Sequence, residues 1–144
     1  MKKLLALTVS FFLIFTNISF AEKSDIIKSI KDVTMVNDRI SIMIKTITGD
    51  DPLDIDVFKK EIKFCESILG ENSKKMTSFY SSETDIELKR SYSSMLYIIS
   101  LYELSLSSMV VYINDDNKTD YFIDTCSSYS NATIALKNIK STYN

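Results

Sequence analysis

In four long stretches of this chain, apolar side chains recur at alternating steps of three and four residues, the spacing of an α-helix with one buried face. The first stretch runs Ile26, Ile30, Val33, Asn37, Ile40, Ile44, Ile47, and the second Ile55, Phe58, Ile62, Cys65, Leu69, Asn72, Met76, Phe79. The third is Leu88, Tyr92, Met95, Ile99, Tyr102, Leu106, Met109, Ile113, and the fourth Phe122, Cys126, Tyr129, Thr133, Leu136, with Tyr143 one heptad later. Two-residue alternation persists in none of them. Helices of roughly 25 to 31 residues joined by short loops predict an all-α, up-down-up-down four-helix bundle. Asn37 and Asn72 interrupt otherwise apolar seams, and such residues fix helix register at some cost in stability.

The predicted boundaries have matching chemistry. Gly49 is placed to end the first helix in the left-handed conformation. Asp51 can cap the second, with Pro52 at its first position and Asp54 close behind. Ser82 followed by Asp85 resembles a capping box for the third helix. The run Asn114-Asp115-Asp116-Asn117 breaks the chain before the fourth. Gly70 leaves the heptad phase intact, so the second helix is expected to run through it.

Residues 1–21 read as a secretion signal. Met1-Lys2-Lys3 is a positive start, Leu4 to Phe15 an apolar run, and Ser19-Phe20-Ala21 a small-residue cleavage site before Glu22. The run is too short for a comfortable membrane span of about 20 residues. The expected product is a single domain, residues 22–144, that is periplasmic or secreted. Cleavage removes two lysines and no acid, moving the formal net charge from −2 to −4. Such acidity argues against nucleic acid as a partner, because phosphate contacts need a basic face.

Cys65 and Cys126, an even pair in an exported chain, predict one disulfide. It would close a loop of about 60 residues and contribute up to roughly 4 kcal/mol. The bond requires Cα atoms within about 7 Å, whereas the second and fourth helices of such a bundle are usually diagonal. A flattened bundle with those two helices in contact is therefore expected.

The chain has no histidine. Ser-His-Asp triads, Cys-His dyads, His-bound zinc and ordinary haem attachment are thereby excluded. In size, export signal and helical pattern the chain resembles small secreted bacterial proteins, among them periplasmic four-helix cytochromes. It departs from the latter by lacking both the haem-ligand histidine and a Cys-x-x-Cys-His site. No cofactor is expected.

Two features remain as candidate sites. Fourteen of the nineteen residues from Met95 to Ile113 are Met, Leu, Ile, Val or Tyr, and Glu103 is the one charge among them. At 100° per residue, Tyr97, Leu101, Leu104, Ser108 and Val111 fall opposite the seam, where a surface helix should be polar. Three readings compete: a helix covered on both sides, a face for a protein partner or a second copy, and a transmembrane span. Glu103 and four serines argue against the span. Glu103, on the flank of the seam, is expected to be partly buried with a raised pKa. The second feature is an acidic end, where Asp50, Asp51, Asp54 and Asp56 from the first loop meet Asp115, Asp116 and Asp120 from the third. Their first reading is helix capping; the alternative is a cation site, with Ca²⁺ held by Asp50, Asp51, Asp54, Asp115 and Asp116.

The functional expectation is a non-enzymatic, exported protein-interaction module, for example an inhibitor, an immunity protein or an envelope accessory factor. It would dock through the third helix or the acidic end. The alternative is a bundle that binds a small molecule or a cation, with Tyr92, Tyr102 and Tyr129 supplying hydroxyls to an apolar pocket.

Overall fold

The computed structural model describes residues 2–49 and 53–143, with side chains from Ser24 onward. They form four helices, α1 (Lys2–Ile47), α2 (Ile55–Ser82), α3 (Ile86–Asn114) and α4 (Thr119–Tyr143), with no strand among the described residues. The expected leader, residues 1–21, lies outside the described side chains, and Asp50, Asp51 and Pro52 lie outside the described residues.

Paired side chains give the topology. Asp25 and Arg39 of α1 meet Lys75 and Glu61 of α2 in reverse order. Ser91 and Ser105 of α3 bond Tyr143 and Thr125 of α4, again in reverse. Phe79 near the end of α2 stacks on Tyr92 near the start of α3, with ring centroids 5.5 Å apart. Each consecutive pair is therefore antiparallel.

The α3 seam is buried from Tyr92 to Ile113, and the α2 seam from Phe58 to Met76, while Ile55 is exposed. On α1, Val36 and Met43 join Ile26, Ile30, Val33 and Ile40 in the core. Helix α4 is rotated from its expected phase. Its buried side chains are Thr125, Ser128, Ala132, Leu136 and Ile139, whereas Phe122, Cys126, Tyr129 and Thr133 are half-buried. The reason is steric. Small side chains let α4 lie close against α3, where Ser105 Oγ donates to the Thr125 carbonyl at 2.9 Å.

Both cysteines are free thiols, so the expected Cys65–Cys126 disulfide is not formed. Among the described residues no Cα of α2 comes within 8 Å of a Cα of α4, beyond the reach of a disulfide. The bundle closes across its other diagonal, with α1 against α3. Helices α2 and α4 are held apart, the reverse of the flattening that the disulfide required.

A polar knot crosses the core where α1 meets α3 and α4. Asn37 Oδ1 accepts from the Tyr102 hydroxyl at 2.9 Å and from Thr133 Oγ1 at 2.8 Å. A slip of α1 would separate these partly buried groups, so Asn37 ties α1 to both neighbours. Asn72 makes no such tie. Its amide donates to the Ile68 carbonyl of its own helix at 2.9 Å and joins no neighbour.

The helix ends use other caps than expected. Asp54 caps α2 through Oδ1, which accepts from the Asp56 and Val57 amides. Asp85 alone caps α3, accepting from Glu87 and Leu88, while Ser82 is the last residue of α2 and bonds back to the Ser78 carbonyl. Gly49 has no positive φ. Gly70 stays inside α2, and nothing lies within 4 Å of where its Cβ would sit.

Candidate functional site

Helix α3 packs against the other three helices and still leaves one face uncovered. Its seam points to the core, and Ile98, Ser105 and Ser108 extend the buried surface toward α4. On the outer face Tyr97 is 57% exposed and Leu104 51%, while Leu101 and Val111 are half-buried. Ser108 is 5% exposed and leaves the expected set, because the close approach of α4 wraps the buried surface round to it.

Ile86, 68% exposed, extends the face at the start of α3. At 100° per residue it lies within roughly 20° of Tyr97 and Leu104. That position was readable from helical spacing but falls ahead of the apolar run.

Two exposed serines between these side chains bond back to their own helix. Ser100 Oγ donates to the Tyr97 carbonyl at 2.8 Å and Ser107 Oγ to the Leu104 carbonyl at 3.0 Å. Their donor capacity is used within the helix, so covering this face leaves few hydrogen bonds to be replaced. Glu103 lies exposed on the flank toward α2, its pKa raised by partial desolvation and then by the neighbouring Glu66 charge. Beside Tyr97 the face dips into an open groove of about 330 Å³ between α3 and α4, bordered by Arg90, Ile98, Asn138 and Thr142.

By length and composition α3 could cross a membrane. In this fold its seam is a core surface enclosed by the other helices, as in many core helices of comparable apolarity.

The acidic loops do share one end. Leu53 and Ile55 line the same cavity of about 530 Å³ as Asp115 and Asp116. Two of the described carboxylates are engaged locally: Asp54 Oδ1 caps α2, and Asp115 Oδ1 accepts from the Asn117 amide at 3.3 Å. Lys118 Nζ stands 3.8 Å from Asp115 Oδ2. Among the described residues no three metal-ligating side chains converge; Asp50 and Asp51 fall outside them.

Of the three tyrosines expected to face a pocket, two lie in the core and Tyr129 is half-buried. Tyr92 and Tyr102 are fully buried, and Tyr102 packs against Tyr129 with ring centroids 6.3 Å apart. Both thiols hold their protons more tightly than a free cysteine. Burial pushes Cys65 up to about 11, against the opposing pull of Arg39, and burial likewise raises Cys126.

The fold defines a four-helix all-α protein whose most distinctive surface is the outer face of α3. No known family, curated protein or solved structure matches the chain.

Proposed function

We propose that this chain is an exported, non-enzymatic interaction module that docks a protein partner through the outer face of α3, in the manner of an inhibitor, immunity protein or envelope accessory factor. The observation that carries this reading is the exposure of Ile86, Tyr97 and Leu104 along one stripe, between serines whose hydroxyls are already bonded. From Tyr97 to Val111 this face carries no charge and bears an aromatic anchor, the composition of an interface core. The exposed Arg90–Glu87 pair lies between it and Ile86. Export is supported by the leader pattern of residues 1–21.

Introducing Tyr97→Asp and Leu104→Asp together tests the docking face. Both side chains are exposed, so unfolding stability should change by about 0.5 kcal/mol or less per site. Photo-crosslinking from position 97 to a partner, or to a second copy, should be lost with Leu104→Asp, and affinity for that partner should fall about tenfold or more in the double variant. Unchanged affinity in the double variant removes the α3 reading. Export has a separate check: cell fractionation with N-terminal sequencing should recover a chain that begins at Glu22.

A further inference from the structure

The side of the bundle between α1 and α4 closes differently from the α3–α4 side. Toward α3, helix α4 lays down Thr125, Ser128 and Ala132; toward α1 it presents Thr133, Lys137 and Lys140. An open trough results. One section, about 240 Å³, is mostly apolar and runs between Ile27, Ile30 and Tyr143, with Lys31 and Lys140 at its edges. A second section, about 360 Å³, shares Thr34 and Lys140 with the first and continues past Leu136 to Lys137.

Three cations border this trough, and among the described residues Lys31, Lys137 and Lys140 form no ion pair. Among the described residues the one carboxylate lining the two sections is Asp38, whose Oδ1 already accepts from the Asn37 amide at 3.0 Å. A chain of net charge −2 thus gathers local positive charge over an apolar floor, and the lysine stems add to that floor. The apolar section is too small for a docked helix, whose single turn is about 10 Å across and 5.4 Å high. An alkyl chain fits such a space.

We infer that the α1–α4 trough binds a single-chain anionic amphiphile, a medium-chain fatty acid, with its alkyl chain along Ile27, Ile30 and Tyr143 and its carboxylate at Lys137 and Lys140. This site lies on a different side of the bundle from the outer face of α3 and is independent of any docking there.

Calorimetric titration of the full chain with dodecanoate, below its micellar concentration, tests the site. Saturable one-to-one binding is expected, tightening about fourfold per added methylene until the trough is filled. Lys137→Glu with Lys140→Glu should weaken it about tenfold or more, as should Thr34→Trp, which fills the junction of the two sections without altering charge. The control pair Lys59→Glu and Lys60→Glu, on exposed α2, should leave it unchanged, with circular dichroism confirming an intact fold in every variant. Neutral decanol should bind more weakly than decanoate. Absence of saturable binding, or binding that survives either trough variant, overturns the proposal. So does binding to anionic lipid vesicles without binding of monomeric dodecanoate.

Discussion

Truncation of Tyr102 to alanine is expected to lower the free energy of unfolding by about 3–5 kcal/mol. The side chain is fully buried on the α3 seam and packs its ring against Tyr129. Its loss opens a cavity that side chains held on four helices can only partly fill. It also removes one of the two donors to Asn37 Oδ1, leaving Thr133 Oγ1 as the remaining one. Tyr102→Phe isolates the second effect, keeping the ring and deleting the hydroxyl, and should cost about 1 kcal/mol. Urea denaturation of the two variants separates packing from polar pairing. Equal losses would mean that the ring contributes nothing beyond its hydroxyl, contrary to the packing. Against a total stability of about 5–15 kcal/mol, the alanine variant should be close to unfolding at elevated temperature.

The second large effect is a loss of stability in alkali. An unfolded cysteine ionises near 9.0, whereas burial raises folded Cys65 to about 11. The folded state therefore holds the thiol proton more tightly. Below pH 9 both states keep it and stability is unaffected. Between pH 9 and 11 the unfolded thiol ionises first, and stability falls by about 2–3 kcal/mol over that window. Tyr102, raised in the same direction by burial, extends the loss to higher pH. Cys65→Ala should cost stability at pH 7 through its cavity, yet flatten the fall between pH 9 and 11 relative to the parent chain. A parallel pair of curves would show that Cys65 does not titrate in this way.

Helix periodicity was legible wherever large apolar residues carried it. Between Phe58 and Met76 on α2, and Tyr92 and Ile113 on α3, the seams bury at their expected positions because Ile, Leu, Met and Tyr have no better place than the core. Ile55, Phe79 and Leu88 at the helix ends do not bury fully. On α4 the same reasoning picked the wrong stripe. Thr125, Ser128 and Ala132 are buried for being small, and a count of large apolar residues passes over them. That rotation also explains why Ser108 is covered while Tyr97 and Leu104 are not. The cysteines misled for a different reason, since compartment and parity say nothing of distance and the bundle holds α2 away from α4. Capping proved ambiguous among several nearby Asp residues: Asp54 and Asp85 do the work for which Asp51 and a Ser82–Asp85 pair were equally eligible by type. The lysine-edged trough went unseen because it is a property of two helices distant in sequence.

That distance bears on the order in which the molecule is assembled. Helices α1 to α4 follow one another as antiparallel neighbours, each able to fold back on the element just made. Helix α1 completes its polar knot only with Thr133, 96 residues away, the slowest type of contact to close. The closure of α1 onto α4 is thus the last contact to lock, after α1 has met α2. A polypeptide threaded front-first through a narrow channel would keep its first helix unlatched from its last until nearly all the chain had followed.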